Sequence, residues 1–238
     1  MKNDLYVIGL IVEGPDDERT ILRLCEVLFD LASSQFVGVT SVGSCTYWRN
    51  VLREALEQRI PRRHGNFRDE PGVEDARMAV LALRSFINRN QLPNVVMLVR
   101  DSDGKKEARR KGLDQAKNET TSPFDVIIGL PHPMRECWVL TAFRPRNKPE
   151  TSELTKLKKD LAFDPLVHSE RLQAKEKHAK KSAKHVLQRL LEADPRVQPA
   201  DREWQCWEQT NLDDLKRHGH ENGLAKFIGE VERCLLRS

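Results

Sequence analysis

Two short apolar runs, 5–12 and 95–99, organise this chain. Both are nearly uninterrupted and rich in Val and Ile. Such runs read as strands buried on both faces, the signature of a parallel sheet. Between and after them the apolar period becomes helical. Pro15 suits a first helical position, and Asp16, Asp17 and Glu18 form an acidic first turn that a helix dipole favours. Ile21, Leu24, Cys25 and Leu28 then recur at helical spacing. Residues 36–42 alternate well enough for a second strand. A helix is expected over 47–60, with Trp48, Val51, Leu52, Ala55 and Leu56 on one stripe. Another is expected over 73–90, with Val80, Leu83 and Ile87 inward. A charged helix follows at 105–119, a strand at 126–130 and a helix at about 134–142.

Strands alternating with helices predict an α/β fold, a mostly parallel sheet flanked by helices. The pattern changes after Phe143. Residues 144–149 look like a linker, and the remainder reads as three helical stretches, about 169–192, 200–217 and 222–236. The chain therefore divides, in this reading, into an α/β region over 1–143 and a helical, basic region over 144–238.

Composition narrows the setting. The 238 residues are 39% hydrophobic and 32% charged, as in an ordinary soluble protein with a heavily charged surface. No apolar run approaches the ~20 residues that span a bilayer, so no membrane association is expected. Met1-Lys2-Asn3-Asp4 leads straight into a strand without signal-peptide layout. Five cysteines form no CxxC pair, which argues against a disulfide framework and a zinc site. The cytoplasm is the expected compartment. Net charge is +4 but unevenly spread: 144–189 holds 13 Lys or Arg against 6 Asp or Glu, and 100–117 holds 7 against 4. A third basic cluster is Pro61-Arg62-Arg63-His64. Acidic strand ends beside basic shoulders suit a polyanion held against a metal.

The carboxylates lie where an open α/β sheet binds ligands, beyond the carboxyl ends of its strands. Glu13 follows the first strand and precedes Gly14, which permits close backbone approach. Asp101 and Asp103 follow the 95–99 strand; in extended backbone both would point to one face, roughly 6–7 Å apart. Asp17, one helical turn beyond Glu13, can point back to the same edge. Gathered carboxylates repel one another unless a cation intervenes, and Mg²⁺ prefers oxygen ligands. The other reading of Asp16, Asp17 and Glu18 is helix-dipole complementation, which covers at least one of the three.

An apolar strand ending in Glu-Gly, then β-α-β elements, then an apolar strand ending in Asp101-Ser102-Asp103, resembles the TOPRIM domain, a Rossmann-like fold. The resemblance covers about 5–143. Val12-Glu13-Gly14-Pro15-Asp16-Asp17 is most similar to the version in overcoming-lysogenization-defect (OLD) nucleases. It implies catalytic roles for Glu13, Asp101 and Asp103, and metal binding by these three with Asp17. Met134-Arg135-Glu136-Cys137-Trp138, followed by a basic helix, resembles small standalone TOPRIM proteins encoded near ATPases in bacterial defence clusters. That adds Glu136 as a metal ligand. Arg100, where an apolar residue is more usual, and Cys137, where Ala is, depart from the pattern.

The expectation is thus an Mg²⁺- or Mn²⁺-dependent endonuclease of TOPRIM type, an antiviral effector working with an ATPase partner. DNA is favoured over RNA, and oligomerisation is left open. Lys105, Lys106, Arg109 and Arg135 are expected to contact phosphate. So are Lys177, Lys181 and Lys184, whose spacing would align them on one face of a helix. Alternatives are a maturase-like ribonuclease acting on structured RNA and a non-catalytic metal-binding regulator of an ATPase complex. Only Tyr6 and Tyr47 could serve as a topoisomerase nucleophile, one in a strand and one at a helix start. A primase would need further domains. Trp138, Trp204 and Trp207 read as packing residues.

Overall fold

The computed structural model describes residues 6–32, 39–40, 45–62, 70–176, 178–208 and 210–235. Contacts divide the chain into two units, Met1–Leu130 with Gly229–Ser238, and Pro131–Ile228. The division falls at Leu130 rather than Phe143, and the last ten residues return to the first unit.

The first unit is α/β. Its strands are β1 (Tyr6–Val12), β2 (Val39–Thr40), β3 (Cys45–Tyr47), β4 (Val95–Val99) and β5 (Asp125–Gly129). The order is β2-β1-β4-β5, with every pairing parallel. β3 pairs with Leu10–Val12, farther along the β1 edge that β2 joins at Tyr6 and Val7. This is a Rossmann-like arrangement of parallel strands with helices α1 (Pro15–Ala32), α2 (Val51–Glu57), α3 (Val73–Ile87) and α4 (Lys106–Glu119). β4 is buried along its length and β1 from Ile8 to Val12, as the unbroken apolar runs require.

α1 begins at Pro15 with its acidic first turn, and buries Ile21, Leu24, Cys25 and Leu28. Of the expected 36–42 strand, only Val39–Thr40 lies within the described residues. Residues 47–60 do not form one helix. Tyr47 ends β3, a 3-10 turn spans Trp48–Asn50, and α2 is short. Trp48, Val51 and Ala55 are buried, but Leu52 and Leu56 are exposed, so the stripe is narrower than expected.

Helix α3 meets α4 backbone to backbone. A Cβ on Gly72 would lie 2.0 Å from the Ala108 carbonyl, and one on Gly112 would lie 2.2 Å from the Gly72 carbonyl. Only glycine fits at either position, and Gly72 also sits at φ +96°.

β5 ends the strand order, so one of its sides is an edge. There the Glu230 carboxylate accepts the Ile128 N–H at 3.2 Å and pairs with Arg110 at 2.9 Å.

The second unit is helical: α5 (Glu136–Ala142), α6 (Lys148–Leu161), α7 (Ala183–Leu191), α8 (Pro199–Gln205), α9 (Leu212–His218) and the first turns of α10 (Leu224–Leu235). α6 replaces part of the expected linker. Asn147 caps it, accepting the Glu150 N–H at 3.0 Å, and Pro149 occupies its first turn. The expected 200–217 helix is two, broken between α8 and α9. Trp138 and Trp207 are buried, whereas Trp204 is 39% exposed. The fully buried Asn222 ties this unit together. Its Nδ2 donates to the Cys137 carbonyl, Thr141 Oγ1 and Ser169 Oγ, and its carbonyl accepts from Trp138 Nε1. Arg202 and Glu150, both buried, pair at 2.6 and 3.0 Å.

Candidate functional site

Parallel pairing of β1 with β4 runs through Ile11 and Leu98, so one further step of register brings Val12 beside Val99 and a second brings Glu13 beside Arg100. The strand ends thus place a carboxylate and a guanidinium side by side at the carboxyl edge of the sheet. Arg100 is held from three directions. Its backbone N–H donates to the Gly129 carbonyl at 3.0 Å. Its guanidinium carbon lies 5.0 Å from the centre of the Trp48 ring, and that indole is itself fixed by a 2.6 Å hydrogen bond to the Val99 carbonyl. Its Nη1 reaches Asp75 at 2.7 Å and its Nε faces Glu13 at 3.4 Å.

Arg109, on α4, completes the cluster. It pairs with Asp103 at 2.9 Å and with Asp75 at 3.9 Å, and it donates to the Asp101 carbonyl. Asp75 reaches the site because of the glycine contact between helices. It lies one turn after Gly72, and Arg109 lies one turn before Gly112. Burial pushes the Glu13 carboxyl above its ordinary pKa. Arg100 and Arg109 oppose the rise, while Asp103 and Asp75 add to it.

The Asp101–Gly104 segment is a tight turn. Lys105 N–H donates to the Ser102 carbonyl at 2.7 Å, with Asp103 at φ +46° and Gly104 at φ +78°. This corrects the expected extended geometry, because left-handed backbone breaks the alternation that would place Asp101 and Asp103 on one face. Asp103 stands exposed, Asp101 is half-buried and Ser102 is buried. Asp17 is buried, and its Oδ2 lies 3.9 Å from where a Cβ on Gly14 would sit, so it turns back toward the end of β1. That distance is ordinary van der Waals contact, so packing does not require glycine at position 14.

The structure therefore joins Glu13, Asp75 and Asp103 through Arg100 and Arg109, with Asp101 attached by its carbonyl. Among the described residues, no group of three or more His, Cys, Asp or Glu side chains is arranged to hold a metal ion. Glu136 belongs to the second unit, where it faces Arg135 at 3.6 Å. Arg135 is buried and paired with Glu203 and Glu136, which corrects its expected role as an accessible phosphate contact. Arg109 is likewise committed to carboxylates, whereas Lys105 is exposed at the start of α4.

The expected lysine-bearing helix is also corrected. α7 begins only at Ala183, so Lys181 precedes it and Lys184 lies in its first turn. The two do not share a helix face, and Lys177 lies outside the described residues, as do Arg63 and His64 of the third basic cluster.

Sequence reasoning missed Asp75. In the sequence it is merely an acidic residue in a helix's first turn, and only the α3–α4 glycine contact brings it to the strand edge. Arg100 was visible as an intruder before Asp101, which was the signal that it had a specific task.

No helix among the described residues is long and apolar enough to cross a membrane. Comparison with protein-family models, with curated proteins and with solved structures gives no match for this chain.

Proposed function

We propose that the strand-edge cluster is the centre of a TOPRIM-type, Mg²⁺- or Mn²⁺-dependent enzyme that hydrolyses phosphodiester bonds of nucleic acid. The observation that carries this reading is the state of Glu13. It is a strand-end carboxylate kept partly out of water, its pKa raised by burial even though Arg100 and Arg109 favour its charge, with Asp103 and Asp75 adding to the rise. Glu13, Asp17, Asp75, Asp101 and Asp103 outnumber Arg100 and Arg109, an excess of negative charge that favours a bound cation. The donor chemistry fits a hard cation. Glu13, Asp17, Asp101 and Asp103 would hold it, once the Glu13 carboxylate is released from Arg100. When bound, such an ion supplies Lewis-acid stabilisation to a phosphodiester under attack.

The chain's own residues supply the rest. Asp75 and Trp48 fix the Arg100 guanidinium at the edge, where it can receive a phosphate oxygen in place of Glu13. Arg109 holds the Asp101–Gly104 turn through Asp103 and the Asp101 carbonyl. Lys105 and Lys106 stand at the mouth of that turn and can contact backbone phosphates. The adjacency of parallel β1 and β4 supports the TOPRIM resemblance. DNA is the favoured substrate, and a cytoplasmic antiviral effector acting with an ATPase is the favoured setting. The non-catalytic reading, a regulatory subunit of an ATPase complex, draws support from the arginine partners already present on the carboxylates.

The test is cleavage of plasmid, linear and single-stranded DNA, and of structured RNA, with Mn²⁺. Wild type is expected to cut DNA and Glu13→Gln to cut nothing while keeping its fold. Equal cleavage by folded Glu13→Gln protein would remove the site from the reaction. Cleavage confined to RNA would favour the maturase-like alternative.

A further inference from the structure

The segment that replaces the expected helix is a compact turn. An antiparallel bridge pairs Gln173 with Ser182, and the Ala174 N–H donates to the Lys181 carbonyl at 3.0 Å. Within it, Ala179 N–H donates to the Glu176 carbonyl at 3.0 Å and Ser182 N–H to the Ala179 carbonyl at 2.9 Å. Ser182 then caps α7 by accepting the His185 N–H. Leu172, Ser182, Ala183 and Val186 are buried and anchor the turn, so its stems are fixed in the second unit.

What the turn displays is almost purely cationic. Lys175, Lys180, Lys181 and Lys184 are all exposed, and none forms an ion pair among the described residues. Elsewhere in this unit two exposed lysines have partners, Lys156 with Glu153 and Lys158 with Asp164, while the exposed Lys148 and Lys159 form no ion pair among the described residues but stand singly rather than in a cluster of four. Among the described residues of the turn the one acidic residue is Glu176. The imidazoles of His178 and His185 lie 6.3 Å apart at a steep angle beside the lysines. Four ammonium groups without an ion pair among the described residues repel one another on one short segment, and their side chains contribute nothing to the buried packing beneath it.

We infer that this turn is a sequence-independent contact for the phosphate backbone of nucleic acid; the inference rests on the nucleic-acid reading above. Three features select that partner. Lysines act as mobile point charges, which suits phosphates at variable positions better than a shaped carboxylate pocket. Apart from the His178 imidazole, no aromatic or large apolar side chain stands exposed within the described residues 173–185, so the surface has no anchor for a protein partner's apolar core. The same absence leaves nothing to insert into a lipid surface. Electrostatic contact with a dense polyanion is the chemistry that remains.

The experiment is a salt titration of binding to fluorescent single- and double-stranded DNA, with EDTA present so that no metal-dependent contact contributes. Wild type is compared with K175E/K180E/K181E/K184E, and with the four Lys→Gln changes as a milder variant. All four positions are exposed, so melting temperatures should match wild type. Binding at 50 mM salt is expected to weaken at least tenfold in the Glu variant and less in the Gln variant. The slope of log affinity against log salt should become shallower by up to about 3 to 4 for duplex DNA. Unchanged affinity and slope would overturn the inference, while intact Mn²⁺-dependent cleavage would leave the proposed activity standing. Wild-type binding without any cleavage would do the reverse. Lysine-dependent binding to phosphatidylserine vesicles, with none to DNA, would overturn the nucleic-acid assignment.

Discussion

Arg100 Nη1 lies 2.7 Å from the Asp75 carboxylate, joining the end of a central strand to the first turn of a helix distant in sequence. The glycine contact between α3 and α4 also brings Arg109 to the same carboxylate, at 3.9 Å. The pair holds in place a guanidinium that also faces Glu13, and the first prediction turns on it.

Arg100→Ala should lower the stability of metal-free protein, because it leaves Asp75 and Glu13 without their shared counter-charge. The cost should be about 1–3 kcal/mol, that of an unmet, partly buried charged group. Added Mn²⁺ should raise the melting temperature of the variant more than that of wild type, since the cation then no longer competes with Arg100 for Glu13. Thermal melts with and without Mn²⁺ check both parts; an equal Mn²⁺ effect in the two proteins would mean that Arg100 and the cation do not compete.

The Glu13 carboxyl is raised above its ordinary value by burial. Its folded form therefore holds the proton more tightly than the unfolded chain does. The stability this brings is present below the unfolded pKa of 4.5 and is lost as pH rises through the folded value. Glu13→Gln, which mimics the protonated group, should melt higher than wild type in EDTA at pH 7 to 8. The difference should vanish as pH falls toward 4.5. Calorimetry across that range decides it, and a difference that widens at low pH would contradict the assigned direction.

Gly14→Ala separates packing from activity. The added methyl meets only Asp17 at ordinary contact distance, so stability should change by no more than about 0.5 kcal/mol. If substrate approaches the backbone there, the same change should cut cleavage at least tenfold. Stable protein with full activity would show that the space over Gly14 is unused.

In the second unit, Arg202→Met strands the buried Glu150 carboxylate and should cost about 3–5 kcal/mol. Arg202→Met combined with Glu150→Leu should recover much of that loss, because it removes the stranded charge. Denaturant titration of the single and double variants measures the recovery.

The elements legible in the sequence were those with their own periodicity or punctuation. β1, β4 and α1 from Pro15 stand out because apolar runs and a helix-starting proline are local signals, whereas the tight turn at Asp101–Gly104 replaces the extended geometry expected there. β3 is three residues long, too short to show a period. α6 was hidden because Asn147 and Pro149 read equally well as a linker and as a helix start. The lysine spacing of four and three satisfied a helix wheel, yet 173–182 closes as a turn whose bridge no local pattern announces. The site was half legible. Glu13, Asp101 and Asp103 lie at strand ends, which periodicity can place. Asp75, and the part played by Arg109, depend on which helices touch.

Glu230 caps the edge of β5 from more than a hundred positions further along the chain. During synthesis the sheet strands leave the ribosome long before that carboxylate exists. The Ile128 N–H then stays open while the entire second unit is being made. Folding of the first unit is thus completed last by residues made last, and a nascent chain halted within 131–228 carries an unsealed strand edge, the feature through which chains join one another.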